Sequence, residues 1–289
     1  MKKLLGLMFV TVFSTVLWIG CGSKNTTPSG PTGPTVTPTN TVTPTGTITP
    51  GTPTGTPTAT ATQTATNTPT VTGTITPVIT ATPQAAQTPV NLGSTVPFAV
   101  LAFSDETNTG ATTLCGDLGL WSGTAFGAGY VFCNAGVTHI TDGTAQTAQG
   151  DLTTAITDAS GRSNAALVSG DLGGLTLYPG LYKSSGTLAI TGNLTLDAQS
   201  NPNAVFIFQV ADTFATAVSS QVVLAHGADA ANIYWQIGTN CSLGNYSTFM
   251  GTIMTGTATT IGTGVVLNGR ALAKSAVTMQ GDDIAVPTP

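Results

Sequence analysis

The chain divides by where its apolar residues fall. From residue 90 onward they come in short runs closed by glycine, asparagine or aspartate, whereas between residues 22 and 89 almost nothing large enough to form a core occurs. Five runs, "AVFIFQV" (204–210), "QVVLAHG" (221–227), "ANIYWQIG" (231–238), "FMGTIMTG" (249–256) and "GVVLNGRALA" (264–273), read as β-strands. One segment changes period. Across "GTAQTAQGDLTTAITDASGR" the residues Ala148, Leu152, Ala155, Ile156 and Ala159 recur at helical spacing, which predicts a helix over about residues 144–160 with Gly161 as its C-cap. Short strands that follow one another without Asn-Gly hairpin signals argue against a meander and suggest a solenoid, with three strands and their corners in each turn of about 18–30 residues. The repeat is irregular in length, so periodicity leaves a β-sandwich as a rival.

Composition then assigns the remaining third. "TPTNTVTPTGTITPGTPTGTPTATATQTATNTPT" and its flanks read as a Thr/Pro-rich disordered tether over residues 21–89, ahead of one folded domain over residues 90–289. Proline favours extended polyproline II, so about 70 residues at roughly 3.1 Å each reach on the order of 200 Å. Such a tract is either a plain spacer or an O-glycosylated one. The opening "MKKLLGLMFVTVFSTVLWIGC" has a charged start at Lys2 and Lys3 and an apolar run from Leu4 to Ile19, the form of a signal peptide over residues 1–20. It resembles a bacterial lipoprotein signal, which implies lipidation of Cys21 and a membrane anchor there, although Trp18 stands where leucine is commonest. An ordinary cleaved signal and a single membrane anchor are the alternatives. All three place the domain outside the cytoplasm, anchored at the cell surface or secreted.

Only 7% of the chain is charged, and its twelve acids all lie after residue 104. Against them the domain holds only Lys183, Lys274, Arg162 and Arg270, so nucleic acid is excluded as a partner for want of a basic patch. Cys115 and Cys133 are close enough in sequence for a disulfide, with Cys241 left over. No metal and no cofactor is expected, because the cysteines with His139 and His226 fit no four-ligand spacing. No enzyme is expected either. The adjacent acids Asp105-Glu106 and Asp282-Asp283 point to opposite faces of a strand, and no G-x-S-x-G, HExxH or Walker loop occurs.

"DLGGLTLYPGLYKSSGTLAITGNLTLDAQSNPNAVFIFQVADTF" and "LAHGADAANIYWQIGTNCSLGNYSTFMGTIMTGTATTIGTGVVLNGRALA" carry the string PG-Y, N-AVFIFQ, G-A-N-YWQ-G and G-GRALA. With "VNLGSTVPFAVLAFSDETNTGATTLCGDLGL" and "SAVTMQGDDIAV", they resemble the DUF3494 family of microbial ice-binding, or antifreeze, proteins over essentially all of residues 90–286. The resemblance implies a mainly β fold: a discontinuous right-handed β-helix of triangular section, one α-helix packed along a face, and the N-terminal coil beside the last C-terminal coils. It implies ice as the partner and one flat face as the site, in a protein taken as a monomer that inhibits ice growth and recrystallisation or holds cells to ice.

Alternation along the strands then selects the outward residues. With Leu188, Ile190, Phe214, Cys241, Leu243, Thr259, Ile261, Val277 and Met279 inside, the outward set is Thr187, Ala189, Thr191, Thr213, Ala215, Asn240, Ser242, Ala258, Thr260, Ala276 and Thr278. These form the expected ice-binding residues. Threonine on an outer strand position also follows from β-propensity alone. A cell-surface carbohydrate-binding adhesin is the alternative function, with Trp121, Tyr234 and Trp235 as its candidate platforms. "NGRALA" reads as a buried turn in which Arg270 bonds carbonyls and serves the structure.

Overall fold

The computed structural model describes residues 84–124, 126–133 and 135–287. The expectations for the signal segment, for Cys21 and for the tether up to residue 83 lie outside the described residues. All strand pairs in the domain are parallel, as coils stacked in one direction require. They form a 15-stranded and a 7-stranded sheet. Three faces result, because the larger sheet turns a corner. Its strands Thr248–Thr255 and Val266–Ala273 are long enough to lie on two faces. Thr248 pairs with Gln221 on one face, while Thr252 to Thr255 pair with Tyr234 to Ile237 on the other. Gly251 makes the bend at φ +106°, a conformation open to glycine, and its neighbour Gly269 has no room for a Cβ over the Gly251 carbonyl.

"NGRALA" is therefore strand rather than turn. Arg270 projects from it, donating from Nε to the Val96 carbonyl at 2.9 Å and from Nη1 to the Thr252 hydroxyl at 3.3 Å.

The coils wind around an apolar interior. Tyr182, Phe208 and Trp235 occupy matching positions in three successive coils. Phe208 and Trp235 stack at 3.9 Å with 7° between planes, and Tyr182 stacks on Phe208 at 5.3 Å. Phe214 and Phe249 pack against this column from the other faces. Each such side chain, fully buried, contributes about 1.5–3 kcal/mol. The buried Trp235 indole still satisfies its N–H by donating to the Met250 carbonyl at 2.9 Å.

The helix spans Gly143–Gly161 and lies on one face. Its Ala148, Leu152, Ala155 and Ala159 meet Leu101, Leu181, Ile207, Tyr234, Met254 and Leu272, and the alanines let the axis come close. Asp142 caps the start, its Oδ1 accepting from the Ala145 amide at 2.8 Å. At the other end the cap is Arg162 in extended conformation, not Gly161, which remains helical. A glycine C-cap is unnecessary because Gln209 supplies donors: its Nε2 reaches the Ala159 carbonyl at 2.7 Å and the Arg162 carbonyl at 2.9 Å.

Two boundaries follow from hydrogen bonds. The fold engages residues before 90, since the Gln84 side chain accepts from the Leu181 amide at 2.9 Å and Arg162 donates to the Thr88 and Pro89 carbonyls. The N-terminal coil, Phe98–Ala102, Asp105–Asn108 and Thr112–Cys115, stacks on the last coil of the chain by pairing with Val266–Ala273, Ala276–Met279 and Asp283–Ala285. The solenoid is thus discontinuous in sequence and continuous in space.

Candidate functional site

The 7-stranded sheet contains Gly170–Asp171, Leu188–Ile190, Phe214–Thr216, Cys241–Leu243, Thr259–Ile261, Ala276–Met279 and Asp105–Asn108, in that spatial order. Each central strand shows one pattern, with both flanking residues buried and the middle one outward. Register aligns the middle residues into one file: Asp171, Ala189, Ala215, Ser242, Thr260, Thr278 and Thr107. At strand spacing the file is about 29 Å long. A second file precedes it. The amides of Leu188, Phe214 and Cys241 donate to the carbonyls of Thr213, Asn240 and Ala258 at 3.0, 3.0 and 2.9 Å, so Thr187, Thr213, Asn240 and Ala258 stand side by side. Ala276 and Asp105 extend that row.

The backing of this sheet is apolar and filled. Leu188, Ile190, Phe214, Cys241, Leu243, Ile261, Val277 and Met279 are all at most 2% exposed. Cys241 is one of them, and burial raises its thiol pKa well above the ordinary range, so it acts as a small hydrophobe. Inward hydroxyls are paired: Thr259 with Thr255 at 3.1 Å, and Thr216 accepting from the Gly244 amide at 2.9 Å. On the outer side the Asn240 Oδ1 accepts from the Ala258 amide at 3.2 Å, which fixes that side chain along the row.

Ten of the eleven residues selected by alternation thus lie in these two files. Thr191 lies at the strand's exit, on the same side, with its hydroxyl bonded to the Asp171 carboxylate. Two residues of the central file escaped the sequence reading, Thr107 and Asp171. Asp171 closes the sheet at one end. Burial acts to raise its pKa, but hydrogen bonds from the Thr191 hydroxyl and the Gly173 and Thr191 amides outweigh it and hold the carboxyl below its usual range. Asp105 and Glu106 sit at the other end, Asp105 exposed and Glu106 at 1% exposure beneath it.

The remaining candidates are distributed around the molecule. Asp282 is buried, accepting from the Val265 amide at 2.9 Å, and Asp283 is exposed, so each adjacent acid pair is split across a strand. His139 bonds Asp142 at 2.8 Å beside the helix start, and His226 is exposed at a turn with φ +47°. Among the described residues no three His, Cys, Asp or Glu side chains cluster with ligand geometry. Cys115 and Cys133 are joined as a disulfide. The aromatic platforms fail on burial. Trp235 lies wholly inside, and Tyr234, which does point outward, is covered by the helix and is 3% exposed. Trp121 remains half-buried.

Fold and surface together define a β-solenoid that presents a flat, small-residue sheet rather than a cleft. Residues 100–285 match the family described as Ice-binding-like, and the chain belongs to that family. It is 42% identical over 198 residues to an ice-binding protein of Nostoc sp. (strain HG1), covering 67% of this chain and 73% of that one. It is 34% identical over 216 residues to an ice-binding protein of Flavobacterium frigoris (strain PS1), covering 68% and 76%. Among solved structures, an ice binding protein from an Antarctic biological consortium aligns with TM-score 0.69 at 44% identity, over 71% of this chain and 94% of that one. The ice-binding protein of the ascomycete Antarctomyces psychrotrophicus aligns with TM-score 0.66 at 32% identity, over 70% and 100%.

Proposed function

We propose that this protein adsorbs to ice through the 7-stranded face, and that Thr187, Ala189, Thr191, Thr213, Ala215, Asn240, Ser242, Ala258, Thr260, Ala276 and Thr278, joined by Thr107, make the contact. The observation that carries the reading is the uncharged central file running in register from Ala189 to Thr107. Ice is periodic water, so its binder needs methyls at regular intervals to lie against the lattice and hydroxyls to continue its hydrogen bonding. Charged groups would instead hold their own hydration. Each rung contributes little. Because the sheet is ordered before contact, the rungs act together without a further entropic cost of ordering. Adsorption of this kind blocks crystal growth and recrystallisation.

Outside the described residues, a signal ending at Gly20, a lipid on Cys21 and the Thr/Pro-rich tether fit attachment of a monomeric domain to the outer surface of a membrane. The test of the face is direct. Fluorescently labelled protein is present while a single-crystal ice hemisphere grows, and labelled planes are expected in the ice. Exclusion of the protein by the advancing front, as for an inert solute, would overturn the proposal. Mass spectrometry of the mature N-terminus tests the anchor, with an unlipidated, freely secreted chain as the refuting result.

A further inference from the structure

Away from the 7-stranded face lies a buried cation without a counter-ion. Arg270 is 5% exposed and forms no salt bridge among the described residues. Its Nε and Nη1 are engaged by Val96 and Thr252, both neutral acceptors. Arginine cannot shed its proton, so burial does not remove the charge. A desolvated cation of this kind is expensive unless an anion comes to it. The guanidinium borders an open cavity of about 420 Å³, on the side of the solenoid where residues 89–96 cross the outer surface of the sheet.

The walls of that cavity specify what fits. Tyr234 lines it too, and its phenol hydroxyl is a group that can donate into the space. Asn91, whose Oδ1 accepts from the Gly93 amide at 3.0 Å, contributes a free side-chain NH2. No acidic side chain lines the space, and the rest of the wall is apolar, with Leu92, Val96 and Pro287 among the residues that form it. One fixed positive charge, two neutral donors and an apolar side match an anion with two oxygens at one end and a short hydrocarbon at the other.

We propose that the Arg270–Tyr234 cavity binds a small aliphatic carboxylate. The carboxylate accepts from the Arg270 Nη2 donors and the Tyr234 hydroxyl, and its alkyl end lies against Leu92, Val96 and Pro287. The site is separate from the face assigned to ice and does not depend on it.

The full chain, 15N-labelled at pH 7 and constant ionic strength, is titrated separately with sodium acetate, sodium propionate, sodium chloride and sodium phosphate while amide and Arg Nε signals are recorded. Saturable shifts with acetate and propionate, centred on Val90, Asn91, Tyr234 and the Arg270 Nε, are expected. Tyr234→Phe keeps the ring packed under the helix and is expected to weaken acetate binding by about tenfold through loss of one hydrogen bond to a charged group. Arg270→Lys is expected to weaken it at least as much, the planar fork being lost. Ice-plane labelling by the same samples stays unchanged by acetate, which separates this site from the ice reading. Linear, unsaturated shifts, an equal response to chloride or phosphate, or unaltered binding by Tyr234→Phe would each overturn the proposal.

Discussion

The 7-stranded face and the second uncovered face of the solenoid rest on the same core and the same parallel rungs, yet they present different surfaces. On the second face the aligned outward file runs Asn193, Gln221, Thr248, Val266, Asp283, Thr113 and Val131. Beside it stand Thr195, Val223, Met250, Asn268 and Ala285. Length varies from rung to rung there, from threonine to glutamine and methionine, and a carboxylate stands in the row. On the 7-stranded face the file from Ala189 to Thr107 never exceeds threonine in size, and carboxylates stand only at its ends. Regular backbone spacing is therefore common to both faces. What separates them is uniform side-chain height, which decides whether a rigid plane of water can touch every rung at once.

The largest break of this contrast comes from adding one tall side chain to each face. Thr260→Tyr and Thr278→Tyr hold the crystal plane away from neighbouring rungs and are expected to abolish ice shaping; even a loss of about 1.4 kcal/mol of contact means tenfold weaker adsorption. Thr248→Tyr on the second face leaves ice shaping intact. Thermal hysteresis, with circular dichroism to confirm folding, distinguishes the two.

Next in size is a change in the shared core. Trp235→Ala removes the centre of the aromatic column and is expected to cost about 3–5 kcal/mol of stability, measured by chemical denaturation. Both faces should loosen together in hydrogen exchange. Loss confined to the 7-stranded face would show that it folds apart from the rest.

The Cys115–Cys133 bond is a local control, since it ties the N-terminal coil at the far end of the second face. Replacing both cysteines by serine is expected to cost about 2–3 kcal/mol, with faster exchange at Thr113 and Leu114.

The smallest effect concerns pH. Burial raises the Glu106 pKa above its usual range, outweighing the hydrogen bond that its Oε2 accepts from the Gly127 amide at 3.1 Å. A carboxyl raised in the folded state stabilises the fold fully at pH below the unfolded-state value, and that stabilisation is lost as pH rises through the folded value. The rung at Asp105–Asn108 should therefore loosen as pH rises above the ordinary carboxylate range. Glu106→Gln should flatten that slope, read from hydrogen exchange at Thr107 against pH.

Much of this architecture was legible in alternation alone. Apolar residues at alternate positions mark the inside of Leu188–Ile190 and Cys241–Leu243, and Phe214 marks that of Phe214–Thr216, and so they expose Ala189, Ser242 and Ala215. Thr107 escaped because its strand reads "DETN", where the inward residue is Glu106 instead of a hydrocarbon and nothing local announces a strand. Asp171 escaped because its strand is two residues long. Tyr234 misled for a different reason. Alternation places it outward correctly, but only tertiary packing reveals the helix lying over it. Periodicity locates side chains relative to their own strand, and it is silent on what a distant segment later covers.

The pairing of Asp105–Asn108 with Ala276–Met279 also fixes an order of events during synthesis. The first of these strands leaves the ribosome early and waits while some 171 positions are translated before its neighbour emerges. A contact so remote along the chain forms late and slowly. Until it does, the newborn solenoid ends in an open edge at Ala276–Met279, and the nascent chain depends on staying dilute or chaperoned until its own beginning returns to cover its end.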